Sequence, residues 1–93
     1  MKNLFFENAR HANAMAAKLA SGIVSSGYAL EAETATNQVF PILPDSVILA
    51  LTQHFAFYVW RKSDNDHSVI RLVTSWATQE HQVDAFLARL ARL

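Results

Sequence analysis

A two-layer α+β sandwich, with an antiparallel sheet of three or four strands and helices packed on it, is the fold this sequence predicts. Three observations carry that expectation. Apolar residues recur at helical spacing near both ends of the chain. Two aromatic and β-branched runs flank a polar loop in the second half, which reads as a hairpin. The segments follow one another as helix, strand, helix, strand, strand, helix. With 93 residues, 52% of them apolar, and only two glycines and two prolines, the chain is expected to form a single domain over residues 1–93 and not a disordered tail.

The first helix is expected over about residues 4 to 24, because Phe5, Ala9, Ala12, Ala16, Leu19 and Ile23 fall on one stripe at alternating steps of four and three. Its alanines favour helix and allow another backbone to come close. Gly27 supplies a left-handed C-terminal cap. Tyr28 to Gln38 is polar and without period. Val39 to Leu43 then reads as a strand whose Pro41 suits an edge or a bulge. Pro44-Asp45-Ser46 starts a short second helix carrying Val47, Ile48 and Leu51 on one face and ending near Gln53-His54. Phe55–Arg61 and Ser68–Ser75 are the strands of the hairpin, joined by Lys62 to His67. Thr78 is placed to cap a last helix with Val83, Phe86, Leu87 and Leu90 at i, i+3, i+4 and i+7.

Composition excludes several functions. Eight basic against eight acidic side chains leave no electrostatic footprint for nucleic acid or an anionic membrane. The absence of cysteine removes disulfides, thiolate metal sites and cysteine nucleophiles. Met1 to Asn8 does not read as a secretion signal, and the longest apolar run, Phe55 to Trp60, is far too short to span a bilayer, so a cytoplasmic location is expected. His11, His54, His67 and His81 are dispersed without ligand spacing, so no metal is expected. Glu31 and Glu33 read as exposed carboxylates rather than an acid/base pair.

Two features do not fit a self-sufficient domain. The strand Phe55–Trp60 is apolar on both alternating faces, as Val69–Val73 largely is, so both sides of the sheet call for cover. Three helices wrapping both faces would supply it; otherwise one face meets another domain. The second feature is Arg71, which stands on the face of Val69 and Val73, where a guanidinium needs an anion or an exit to water. It is either one half of a structural ion pair or a planar fork that grips a carboxylate through two hydrogen bonds.

Asn8-Ala9-Arg10-His11-Ala12-Asn13-Ala14-Met15-Ala16, Thr36-Asn37-Gln38-Val39-Phe40, Phe57-Tyr58-Val59-Trp60 and Arg71-Leu72-Val73-Thr74-Ser75-Trp76 occur in this order, followed by a last helix containing Asp84. In their order and spacing they resemble the C-terminal small domain of low-specificity L-threonine aldolases, members of the β-eliminating lyase group of fold-type I pyridoxal-phosphate enzymes. The resemblance implies a carbon–carbon lyase of amino-acid metabolism that cleaves β-hydroxy-α-amino acids to glycine and an aldehyde with pyridoxal phosphate as electron sink. It implies that Arg71 binds the α-carboxylate of the amino-acid substrate. The family's Schiff-base lysine and phosphate-binding loop belong to a large cofactor domain, and neither Lys2, Lys18 nor Lys62 matches that lysine's motif. The chain alone is therefore expected to be inactive and free of cofactor, with no catalytic, cofactor-binding or metal residue of its own. Ser75 departs from the pattern, since many bacterial members carry histidine there. Aromatic β-eliminating lyases and aminotransferases share the architecture. The alternative is a free-standing protein-interaction module that keeps this fold and uses its apolar sheet face for a partner or a homo-oligomer.

Overall fold

The computed structural model describes residues 4–32 and 36–93. Lys2 and Glu33 lie outside them. The elements are α1 (Leu4–Ser25), β1 (Ala29–Leu30), β2 (Gln38–Val39), β3 (Pro41–Pro44), α2 (Asp45–Leu51), β4 (Tyr58–Lys62), β5 (His67–Val73) and α3 (Glu80–Ala91). The α+β class is as expected, with three helices and a five-stranded antiparallel sheet.

The alanine-rich stripe of α1 turns Ala12, Met15, Ala16, Leu19, Ala20 and Ile23 into the core. The helix ends where Gly27 takes φ 95°, a conformation that side chains with a Cβ rarely adopt. There the Tyr28 N–H reaches back to the Ile23 carbonyl and the Gly27 N–H to that of Val24, which satisfies carbonyls the helix would leave bare. α3 packs across α1 so closely that a Cβ on Gly22 would stand 2.4 Å from a methyl of Leu87. Lys18 bridges the same two helices, 2.9 Å from Glu80 and 2.8 Å from Asp84.

β5 is the spine of the sheet. β2 and β3 pair with it in one continuous register, Gln38 with Val73, Val39 with Leu72, Ile42 with Val69 and Leu43 with Ser68, so the two act as one strand interrupted at Phe40. Pro41, which follows, has no N–H for a ladder. β1 adds to the outer side of β3, and β4 pairs with β5.

The structure departs from the sequence-based expectation in its strands and in one cap: the sheet has five strands where three or four are expected, because the strand read over Val39–Leu43 is split at Phe40 and β1 is added. The expected strand over Phe55–Arg61 starts at Tyr58, because Phe55 and Phe57 pack against the core from an irregular approach, Phe55 edge-on to Phe86 at 5.1 Å between ring centroids. β1 lies in the stretch without period, its two residues too few to alternate. The cap of α3 is Gln79, whose N–H donates to Gln82 Oε1 at 2.8 Å, while Thr78 is held by the preceding turn. Among the described residues, no helix is long and apolar enough to cross a membrane.

Candidate functional site

The two faces of β5 have different surroundings. Ile70 and Leu72 join Val39, Leu43 and the buried side chains of all three helices in one core. Val69, Arg71 and Val73 point the other way, as the alternation in the sequence requires. On that side Val69 is fully buried, whereas Val73 is 51% exposed.

β4 widens the open face. Tyr58 stands opposite Arg71, but the register then shifts, and Arg61 instead of Trp60 faces Val69. This bulge gives one residue of β5 two neighbours, so Tyr58, Trp60 and Arg61 all belong to the open side. Lys62 returns to the helix side, where its ammonium and the Ser68 hydroxyl (2.7 Å) both reach the Asp45 carboxylate at the start of α2. Those two donors, Lys62 first, hold the Asp45 carboxyl below its usual range. The bulge thus separates a structural ion pair on one side from an aromatic surface on the other.

Arg71 lies in the middle of that surface, half-buried. Its guanidinium carbon is 5.9 Å from the centroid of the Trp60 ring, within cation–π range. Phe40, placed across from Arg71 by the register of β2 and β3, meets Trp60 edge-on at 5.5 Å. Arg71 Nε is closed off from solvent and has no hydrogen-bond partner among the described residues. The neighbouring cation Arg61 is already paired with Glu31, so Glu31 is a structural carboxylate. Among the described residues Arg71 has no carboxylate partner, and its planar fork is chemically suited to a planar anion.

Beyond β5, Thr74 to Gln79 forms a tightly bonded turn. The Thr74 hydroxyl is buried and donates to the Ala12 carbonyl at 2.6 Å, while Asn37 exchanges two bonds with the Thr74 backbone, at 2.8 and 2.9 Å. The N–H groups of Ser75 and Ala77 donate to Thr78 Oγ1 and Ser75 Oγ. This turn presents Trp76, 69% exposed, at the rim of a shallow cavity of about 290 Å³ that Asn8, Ala9, Ala12, Asn37 and Ser75 complete. The part played by Asn37 was not legible from spacing.

The other polar residues have local partners. His11 Nε2 is hydrogen-bonded to the Thr78 carbonyl, and His67 pairs with Asp64 at 2.9 Å. The Asp66 N–H and His67 lower the Asp64 pKa. His54 lies edge-on to Phe55, and His81 is exposed. Among the described residues, no three histidines or carboxylates gather as a metal site. Both described lysines are committed to carboxylates, and Asp84 and then Glu80 raise the pKa of Lys18.

No protein-family model and no curated protein matches the chain. Its backbone does match solved structures. Over 88% of its length it superposes on a threonine aldolase from Leishmania major, with 38% sequence identity and a TM-score of 0.84. The likeness is to part of a threonine aldolase. The match spans 24% of that aldolase, so the chain accounts for about a quarter of its length. A serine palmitoyltransferase from Sphingomonas wittichii shares the fold at a TM-score of 0.71 and 21% identity, over 89% of this chain and 23% of that one. The resemblance to threonine aldolases read from the sequence is therefore met in three dimensions, over nearly the whole chain.

Proposed function

We propose that this chain is the substrate-clamping small domain of a threonine-aldolase-like lyase, a C-terminal domain of a larger cytoplasmic enzyme that cleaves β-hydroxy-α-amino acids to glycine and an aldehyde. One observation carries the reading. Arg71 stands on the open face of the sheet, flanked by aromatic rings, with no carboxylate partner among the described residues. A guanidinium so placed binds the α-carboxylate of an amino acid, and the exposed Tyr58, Trp60 and Val73 around it give a cofactor-bearing domain something to close against.

The described residues do not fit pyridoxal phosphate, the cofactor the resemblance implies. Schiff-base chemistry needs a lysine amine that can lose its proton, and a raised pKa works against that at Lys18, while Lys62 is paired with Asp45. Under this reading the cofactor belongs to the large domain, and this domain supplies substrate binding alone. The purified chain mixed with pyridoxal phosphate should give no saturable lysine adduct and no aldehyde from threonine. Stoichiometric incorporation at one lysine with turnover would overturn the reading. In the assembled enzyme, Arg71→Lys should restore only part of the amino-acid affinity that Arg71→Ala loses, because a point charge keeps the attraction without the fork.

The exposed apolar face also supports a second reading, a free-standing interaction module that pairs through it. A stable homodimer of a naturally separate 93-residue product, with no cofactor domain encoded beside it, would favour that reading.

A further inference from the structure

We infer that Trp60 is a positioning residue for Arg71: its ring, steadied by Phe40, fixes the guanidinium so that a carboxylate meets its terminal nitrogens end-on. The step rests on the reading of Arg71 as a carboxylate ligand. Three observations support it independently of that role. Trp60 is 55% exposed, so core packing does not account for its place. It is nevertheless engaged on two sides, 5.9 Å from the Arg71 guanidinium and 5.5 Å from Phe40, whose ring lies at 68° to it. The bulge at this point gathers Trp60 and Arg61 on the side of Arg71 and so builds a collar that regular pairing would leave thinner.

Burial divides the Arg71 side chain chemically. Nε is sealed from solvent and without an acceptor among the described residues, so it is removed as a donor to an incoming ligand. The side-on pair of Nε with a terminal nitrogen is then closed to a carboxylate, and the end-on pair of terminal nitrogens remains. A long, flexible arginine otherwise loses rotamer entropy on binding; a ring within cation–π range of it takes part of that ordering cost before the ligand arrives.

The test is steady-state kinetics of L-threonine cleavage in the assembled enzyme with Trp60→Leu, Trp60→Phe and Arg71→Ala, alongside NMR of the free chain. Leucine keeps apolar bulk and removes the π face. Trp60→Leu is expected to raise KM about three- to tenfold, the effect of losing a cation–π contact at a partly shielded site, with kcat within about twofold. Trp60→Phe should fall between it and the native enzyme. In the free chain, the Arg71 δ-methylene protons should carry an upfield ring-current shift that Trp60→Leu abolishes and Trp60→Phe keeps in part. A purely structural role would lower the melting temperature equally in both variants and leave KM alone. Normal KM in Trp60→Leu beside an impaired Arg71→Ala overturns the inference while the carboxylate reading stands. Normal binding in Arg71→Ala overturns that reading and this inference with it.

Discussion

The two faces of the sheet differ by one residue step along β5. Ile70 is fully buried against the helices, and Arg71, its neighbour, stands among exposed aromatics on the other side. On the covered face Ile70 and Leu72 are buried in a core of aliphatic side chains and Phe86, so substitutions there should register as folding free energy. On the other face Val69 is buried but Tyr58, Trp60 and Val73 remain exposed beside a half-buried guanidinium, so substitutions at those exposed positions should register as association. A small domain that buries a modest core cannot spread its stability over both faces. Most of its buried side chains lie on the helix side.

The largest effect that would test this division is at the covered face. Ile70→Ala should destabilise the isolated chain by about 2–5 kcal/mol, since it removes a fully buried side chain from a core that cannot fully close the gap. Denaturant melts measure it, and a loss below about 1 kcal/mol would mean that the face is far looser than its burial indicates. Next comes the seam between β5 and α1. Thr74→Val deletes the hydroxyl bonded to the Ala12 carbonyl and should cost about 1–3 kcal/mol. The open face should behave otherwise. Tyr58→Ser is expected to shift stability by no more than about 0.5 kcal/mol while weakening self-association of the free chain, read by sedimentation velocity.

Much of the covered face was legible in the sequence, because burial imposes a period. The stripe from Phe5 to Ile23 required a helix, and the alternation from Val69 to Val73 separated Arg71 from Ile70 and Leu72 without any structure. The open face was only partly legible. The shift that lets Arg61 face Val69, and the seating of Phe40 across from Arg71, are matters of register between distant strands, which no local pattern encodes. The strand start at Tyr58 has a related reason: Phe55 and Phe57 look like strand residues, but both pack on the core, Phe55 against Phe86 of α3, from outside the ladder. Gln79 displaced Thr78 as the cap because Thr78 Oγ1 is already occupied by the Ser75 N–H.

The smallest expected effect is that of pH on the ion pairs. Asp45 and Asp64 titrate below their ordinary values in the folded chain, so their stabilisation is present above the usual carboxylate range and is lost as pH falls through the lowered values. Lys18 has the opposite sign: its contribution is full below the ordinary lysine range and fades as pH rises through its raised value. Asp45→Asn should therefore flatten part of the acid limb of a melting-temperature profile and leave the alkaline limb alone. An unchanged acid limb would mean that the pairing with Lys62 and Ser68 contributes nothing to the folded state.

The division between the faces is tested most directly by titrating glycine into the assembled enzyme, native against Arg71→Ala, with the melting temperature of each recorded alongside. Losing hydrogen bonds to a charged group costs roughly 1.5–3 kcal/mol, so affinity should fall about 10- to 150-fold while the melting temperature stays within about two degrees and the cofactor spectrum is unchanged. Equal affinity in the two proteins, or a variant that loses stability instead of binding, would contradict the assignment of Arg71 to recognition.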